Sequence, residues 1–288
     1  MTDREYSLNE AYQVCRAIST GHYENFPVGS VLIPKNVRHH FFALYAFMRT
    51  ADDFADLPLR AREERLMLLA DWRRQFDDTY SGKESENPIF IALCNTIREF
   101  KLDQNLFHRL LEAFEVDATG EVEFRTFDDL RWYTARSAEP VGELVLALFG
   151  YHDSVRIKLS NEICTGLQLL NFIQDIREDL GNNRYYYPQE DCEIFGIDLK
   201  KEDPDRDRLS LVSLFELERV EALLVRGASL AESVTGRLRY ELRAVILAAR
   251  KMIKKIRQLD GNSYFKRPKL SKKEHLSVLL QSIIIKVR

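Results

Sequence analysis

The chain has 288 residues, 45% of them apolar and 30% charged, enough to bury a large core and still present a well-solvated surface. Its 42 basic and 45 acidic residues leave a net charge of −3, which excludes attraction to nucleic acid by global charge. With only 12 Gly and 8 Pro interrupting stretches rich in Leu, Ala, Glu and Arg, the composition favours an all-α fold.

Apolar residues at three- and four-residue spacing predict a first helix over 43–56. It carries Tyr45-Ala-Phe-Met-Arg49-Thr-Ala-Asp52-Asp53-Phe-Ala-Asp56. At about 100° per residue, Tyr45, Arg49, Asp52 and Asp56 share one face, with Asp53 at its edge. Carboxylates this close repel one another unless a cation sits among them, and an oxygen-only set suits Mg²⁺. The bland alternative is a solvated helix end. Against it, Phe41, Phe42 and Tyr45 continue the same face upstream as an aromatic surface. The neighbouring His39-His40 pair has no metal-ligand spacing and is expected on the helix surface.

Helices are predicted over 62–79, 89–100 and 104–116, separated by turn chemistry at Leu57-Pro58, Ser81-Gly82 and Asn87-Pro88. A longer one, 154–180, carries a second acidic arc of Gln168, Asn171, Asp175, Glu178 and Asp179, with Leu169, Phe172, Ile173, Ile176 and Leu180 on the other side. Toward the N-terminus the arc becomes Leu167, Cys164 and Ser160. A face that is polar at one end and apolar at the other suits an amphiphile with a charged head. Taken alone, either arc reads first as a surface helix; two in one chain are harder to assign to surface. Together they could hold roughly two or three Mg²⁺ ions around a diphosphate and promote its departure as a leaving group.

Gly181-Asn182-Asn183 ends this helix, and 183–207 is the least regular stretch, expected as a loop or flap. Helices follow over 211–234 and 244–259, with a break at Gly261-Asn262. Strand-like alternation is essentially missing, and nothing resembles a domain linker, so residues 1–288 read as one domain, with 1–10 and 261–288 peripheral. No phosphate-cradling glycine loop is present. Cys15, Cys94, Cys164 and Cys192 are widely spaced and follow no secretory leader, which predicts reduced thiols in a cytoplasmic protein and no zinc or disulfide. From Lys251 onward there are 11 Lys or Arg against 2 acidic residues. That tail reads either as a helix docked on the bundle or as a peripheral contact with the anionic inner face of a membrane. The apolar run 276–285 is too short to span a bilayer.

At these residues the sequence resembles the squalene/phytoene synthase family. The matching blocks are Tyr45-Ala-Phe-x-Arg49-x-x-Asp52-Asp53-x-x-Asp56, and Asn171-Phe-x-Gln174-Asp175-x-x-x-Asp179 followed by Asn183-Arg184-x-Tyr186-x-Pro188. The resemblance implies a single-domain isoprenoid synthase helical bundle in which two aspartate-rich helices face each other across a central cavity. It implies Mg²⁺ on Asp52, Asp53, Asp56, Asn171, Asp175 and Asp179, and diphosphate contacts from Arg49 and Arg184. Tyr45 joins the catalytic set, and His22, Asn25, Phe26, Tyr133, Gln174 and Tyr186 the substrate-binding set. For His22 and the three tyrosines, a structural role is the competing reading; the tyrosines could bound a carbocation with their ring faces or simply pack the core.

Within the family the chain looks most like the bacterial hydroxysqualene synthases, through His22-Tyr23-Glu24-Asn25-Phe26-Pro27-Val28 and Tyr133-x-x-Arg136-Ser137-Ala138-x-Pro140-Val141-Gly142. Where two-substrate relatives usually carry Ser-x-Ser-Phe this chain has Tyr23-Glu24-Asn25-Phe26, and Gln174 replaces a frequent Arg. Those changes remove donors from the diphosphate region and favour an enzyme that receives ready-made presqualene diphosphate and forms hydroxysqualene with water. No NADPH is then expected, and the product would pass to a squalene-forming oxidoreductase. The alternatives are a squalene, dehydrosqualene or phytoene synthase joining two prenyl diphosphates, and a non-catalytic helical assembly protein of the same fold.

Overall fold

The computed structural model describes residues 6–20, 33–57, 60–201 and 203–287. Among them the chain forms, in order, α1 (Leu8–Thr20), α2 (Lys35–Ala55), α3 (Arg62–Tyr80), α4 (Pro88–Phe100), α5 (Gln104–Asp117), β1 (Val122–Glu123), α6 (Phe127–Ser137) and α7 (Glu139–Leu148). There follow α8 (Ser154–Gly181), β2 (Arg184–Tyr185), α9 (Gln189–Ile194), α10 (Arg206–Gly227), α11 (Leu230–Ser233), α12 (Gly236–Gln258) and α13 (Lys272–Ile284). They gather into two compact units, Met1–Thr119 with Glu143–His152, and Gly120–Gly142 with Asp153–Arg288.

In the first unit α2 is the organising helix, because residues 42–47 are buried on every side. Phe47 lies 5.4–6.2 Å, centroid to centroid, from Trp72, Phe76, Phe90 and Phe107, which brings α3, α4 and α5 onto it. Each such ring contributes about 1.5–3 kcal/mol through burial. Local chemistry fixes the ends: the Asn87 side chain accepts the Ile89 N–H with Pro88 in the first turn, and Asp103 caps α5. The surface expectation for the histidine pair fails at His40, which is buried with its Nδ1 3.1 Å from the Tyr12 hydroxyl and 3.0 Å from Thr96 Oγ1. α1 and α4 cover that side of α2, and burial pushes the imidazole down to about 4, so the ring is neutral.

In the second unit α8 and α10 pack closely where small residues let their backbones approach. A Cβ on Gly166 would sit 3.2 Å from Leu224, and one on Gly227 only 2.8 Å from the Leu159 carbonyl oxygen. The predicted 211–234 helix is two: α10 starts earlier, capped by Asp205, and stops at Gly227, with α11 separate. The expected loop over 183–207 contains β2, paired in parallel with β1 (Val122 with Arg184, Glu123 with Tyr185), and α9. Its anchor is ionic. Buried Asp191 accepts from Arg219 Nη2 at 2.9 Å, Glu216 accepts from Arg219 Nη1 at 2.7 Å, and the guanidinium lies 4.3 Å from the Phe127 ring centroid and 4.6 Å from that of Phe215.

Candidate active site

The first acidic face forms where α2 leaves the core. Tyr45 is still buried, one turn before Arg49, whose Nη1 and Nη2 lie 3.1 Å from Asp52 and 2.7 Å from Asp53. Asp56 stands just past the helix end, its N–H donating to the Asp52 carbonyl at 2.9 Å. The last turn holds no basic residue, so three carboxylates crowd the negative pole of the helix dipole.

The second face repeats the pattern at the end of α8, whose last turn also lacks a basic residue. Burial, and then the charge of Asp175, push the Asp179 carboxyl up to about 7, with Arg184 opposing. Asp175 is raised too, by burial, against the pull of Arg267. Arg267 Nε donates to Asp175 at 2.6 Å, and its Nη1 lies 3.6 Å from Glu178. Residues 261–288 are thus not wholly peripheral: the turn between α12 and α13 crosses the acidic face. There Gln174, expected at the substrate, is buried with its amide nitrogen donating to the Pro268 carbonyl at 3.1 Å.

Beside Asp179 and Arg184 stands an aromatic wall. Tyr186 stacks on Phe172 at 3.7 Å with planes 5° apart, Tyr133 lies 5.9 Å from Tyr186, and Phe124 5.3 Å from Tyr133. A small cavity touches Phe172, Asp179, Arg184 and Tyr186 together. The structure therefore joins Tyr133, Asp179, Arg184 and Tyr186 in one place, with Asn171 half-buried on the same helix. His22, Asn25 and Phe26 lie outside the described residues. Sequence reasoning missed Arg267 and Phe124, since neither stands in a spacing pattern with its partners.

The two faces suit magnesium by donor chemistry. All charged ligands are oxygens, the set a hard divalent cation takes, and carboxylates at the negative ends of helices, one held near neutrality by burial, gain from a bound cation. Arg49 and Arg267 supply that positive charge here. Among the described residues no three His, Cys, Asp or Glu converge on one point.

An all-α fold with acidic helix ends, one of them beside an aromatic wall, is that of the isoprenoid synthases, and comparison with known proteins gives its branch. The family model for squalene/phytoene synthase matches residues 19–274. A hydroxysqualene synthase from Zymomonas mobilis is 35% identical over 177 residues, 60% of this chain and 57% of that protein. A phytoene synthase from Mycobacterium tuberculosis is 30% identical over 220 residues, 74% of this chain and 70% of that one. Among solved structures, the squalene synthase HpnC from Alicyclobacillus acidocaldarius superposes with a TM-score of 0.81 at 35% identity, covering 88% of this chain and 96% of that one. The chain belongs to the squalene/phytoene synthase family, whose members are prenyltransferases using prenyl diphosphates.

Proposed function

We propose that this protein converts presqualene diphosphate and water into hydroxysqualene and diphosphate. The observation that carries the reading is Gln174. It stands where two-substrate relatives frequently carry an arginine, and its amide is engaged by Pro268, so this position offers no cation to a second diphosphate. Likeness to a hydroxysqualene synthase at 35% identity supports the same choice.

In this reading Arg49 and Arg184 bind the diphosphate oxygens, and Asp52, Asp53, Asp56, Asn171, Asp175 and Asp179 hold magnesium. Bound magnesium supplies charge neutralisation of the leaving group. The carbon–oxygen bond breaks with its electron pair going to diphosphate. The cyclopropylcarbinyl cation opens against the π faces of Phe172, Tyr133 and Tyr186, which tolerate positive charge and exclude bulk water. Water adds to the rearranged cation and gives up a proton, so no reductant is consumed. Removal of the hydroxyl falls to a separate oxidoreductase. The family match over residues 19–274 supports reading the chain as one domain.

Incubation of the purified chain with presqualene diphosphate, Mg²⁺ and ¹⁸O-labelled water should give labelled hydroxysqualene with or without NADPH. A hydrocarbon formed only with NADPH would overturn the assignment. Likeness to phytoene synthases keeps a second reading, condensation of two prenyl diphosphates; product from farnesyl or geranylgeranyl diphosphate alone would select it.

A further inference from the structure

The last helix is docked the wrong way round. α13 turns its polar side to α12: Glu274 lies 2.9 Å from Lys255, Ser277 accepts from Lys251 at 3.2 Å, and Ser282 is buried beside Val278. Its other side carries Leu276, Leu279, Leu280, Ile283 and Ile284, exposed by 46–81%. A helix that only completed a bundle would do the opposite, burying its apolar stripe and solvating its polar one. The inversion is not forced by a weak helix, because Ser271 and Glu274 form a full capping box at its start.

Charge frames the stripe. Steps of 100° place Lys272 and Lys273 on the outward side at one end, and exposed Lys286 follows the other. Exposed Phe265 and Lys266 lie just upstream. Glu274, the one acidic residue among 261–287, is turned inward onto Lys255. Five contiguous Leu and Ile side chains with lysines at both ends and no outward carboxylate match the surface of an anionic bilayer, whose headgroups meet the lysines while the stripe enters the acyl boundary. A second copy fits less well, since a two-fold contact through the stripe, parallel or antiparallel, would set the lysines at its ends against lysines of the other copy. No helix among the described residues is long and apolar enough to cross a membrane, so the contact lies in the interface plane.

We propose that the outward face of α13 is a membrane-docking surface for anionic lipid. The inference rests on this helix alone and stands whatever the reaction product.

The test is co-sedimentation of the full chain with phosphatidylcholine vesicles, with and without phosphatidylglycerol. Binding should require the anionic lipid and weaken in high salt. Leu279→Ser with Ile283→Ser should reduce partitioning on the order of tenfold or more, and Lys272→Gln with Lys273→Gln on the order of tenfold with loss of salt sensitivity. Far-UV circular dichroism and Tm should match the parent in both variants, as all four side chains face solvent. Absence of binding, equal binding to neutral vesicles, or equal binding by the variants would overturn the proposal. So would a doubled mass in light scattering that Leu279→Ser with Ile283→Ser abolishes, which assigns the face to a second copy.

Discussion

Arg267 donates from Nε to Asp175 Oδ1 at 2.6 Å, across 92 residues of sequence, and so places a fixed positive charge on one of the carboxylates expected to hold magnesium. The pair is partly exposed, so it contributes at most about 1 kcal/mol. Arg267→Gln should therefore lower Tm by no more than a few degrees without metal. Its Tm should then rise more on adding Mg²⁺ than that of the parent, because the guanidinium no longer competes for Asp175. Thermal melts across a Mg²⁺ titration decide this; an unchanged response would separate Arg267 from the metal site.

Asp52→Asn and Asp175→Asn should each abolish product formation at saturating Mg²⁺ while leaving the helical circular dichroism spectrum intact. Removing the Asp52 charge relieves the negative pole at the last turn of α2 by about 0.3–1 kcal/mol, which offsets the loss of its partly exposed ion pair with Arg49. The Asp52 variant should thus melt no lower than the parent. Near-normal turnover by either purified variant would remove the acidic faces from the reaction.

What the sequence disclosed follows from spacing. Asp52 and Asp56, and Asp175 and Asp179, are one helical turn apart, so the chemistry of each face is written in its period, and the starts of α3, α5 and α8 coincide with their predicted first residues. Relations that cross elements were hidden. Nothing near Arg267 points to Asp175, and nothing near His40 announces that Tyr12 and Thr96 surround its ring. β1 and β2 are two residues each, too short for alternation to register. The inverted packing of α13 was unreadable because its polar and apolar stripes are both plain in sequence, while the side that meets α12 is set by Lys251 and Lys255.

Glu216 is buried against Asp191 and Arg219, and burial raises its carboxyl to about 8 from an ordinary value of 4.5, with Arg219 pulling the other way. The folded chain therefore holds this proton more tightly than the unfolded one. Its stabilising effect is complete below about pH 4.5 and is lost progressively as pH rises toward about 8. Glu216→Gln keeps the shape and has no proton to lose, so its Tm should fall less than the parent's between pH 5 and pH 8. Parallel slopes in melts across that range would show that Arg219 keeps Glu216 ionised throughout.

Two glycines in the second unit make a matched pair. Gly227 ends α10 against α8, and a Cβ there would lie 2.5 Å from Ile163 Cγ1 and 2.8 Å from the Leu159 carbonyl oxygen. The latter is backbone within a helix, so one helix must move. Gly181 ends α8 with nothing within 4 Å of its Cβ position. Gly227→Ala should lose about 1–3 kcal/mol by overpacking, a drop of several degrees in Tm for a chain of this size. Gly181→Ala should gain about 0.5–1 kcal/mol, because alanine restricts the unfolded chain and favours the helix without meeting a neighbour. Urea unfolding of both variants measures the difference, and its sign is the test: if Gly227→Ala proves as stable as Gly181→Ala, the close approach of α8 and α10 does not depend on the missing side chain.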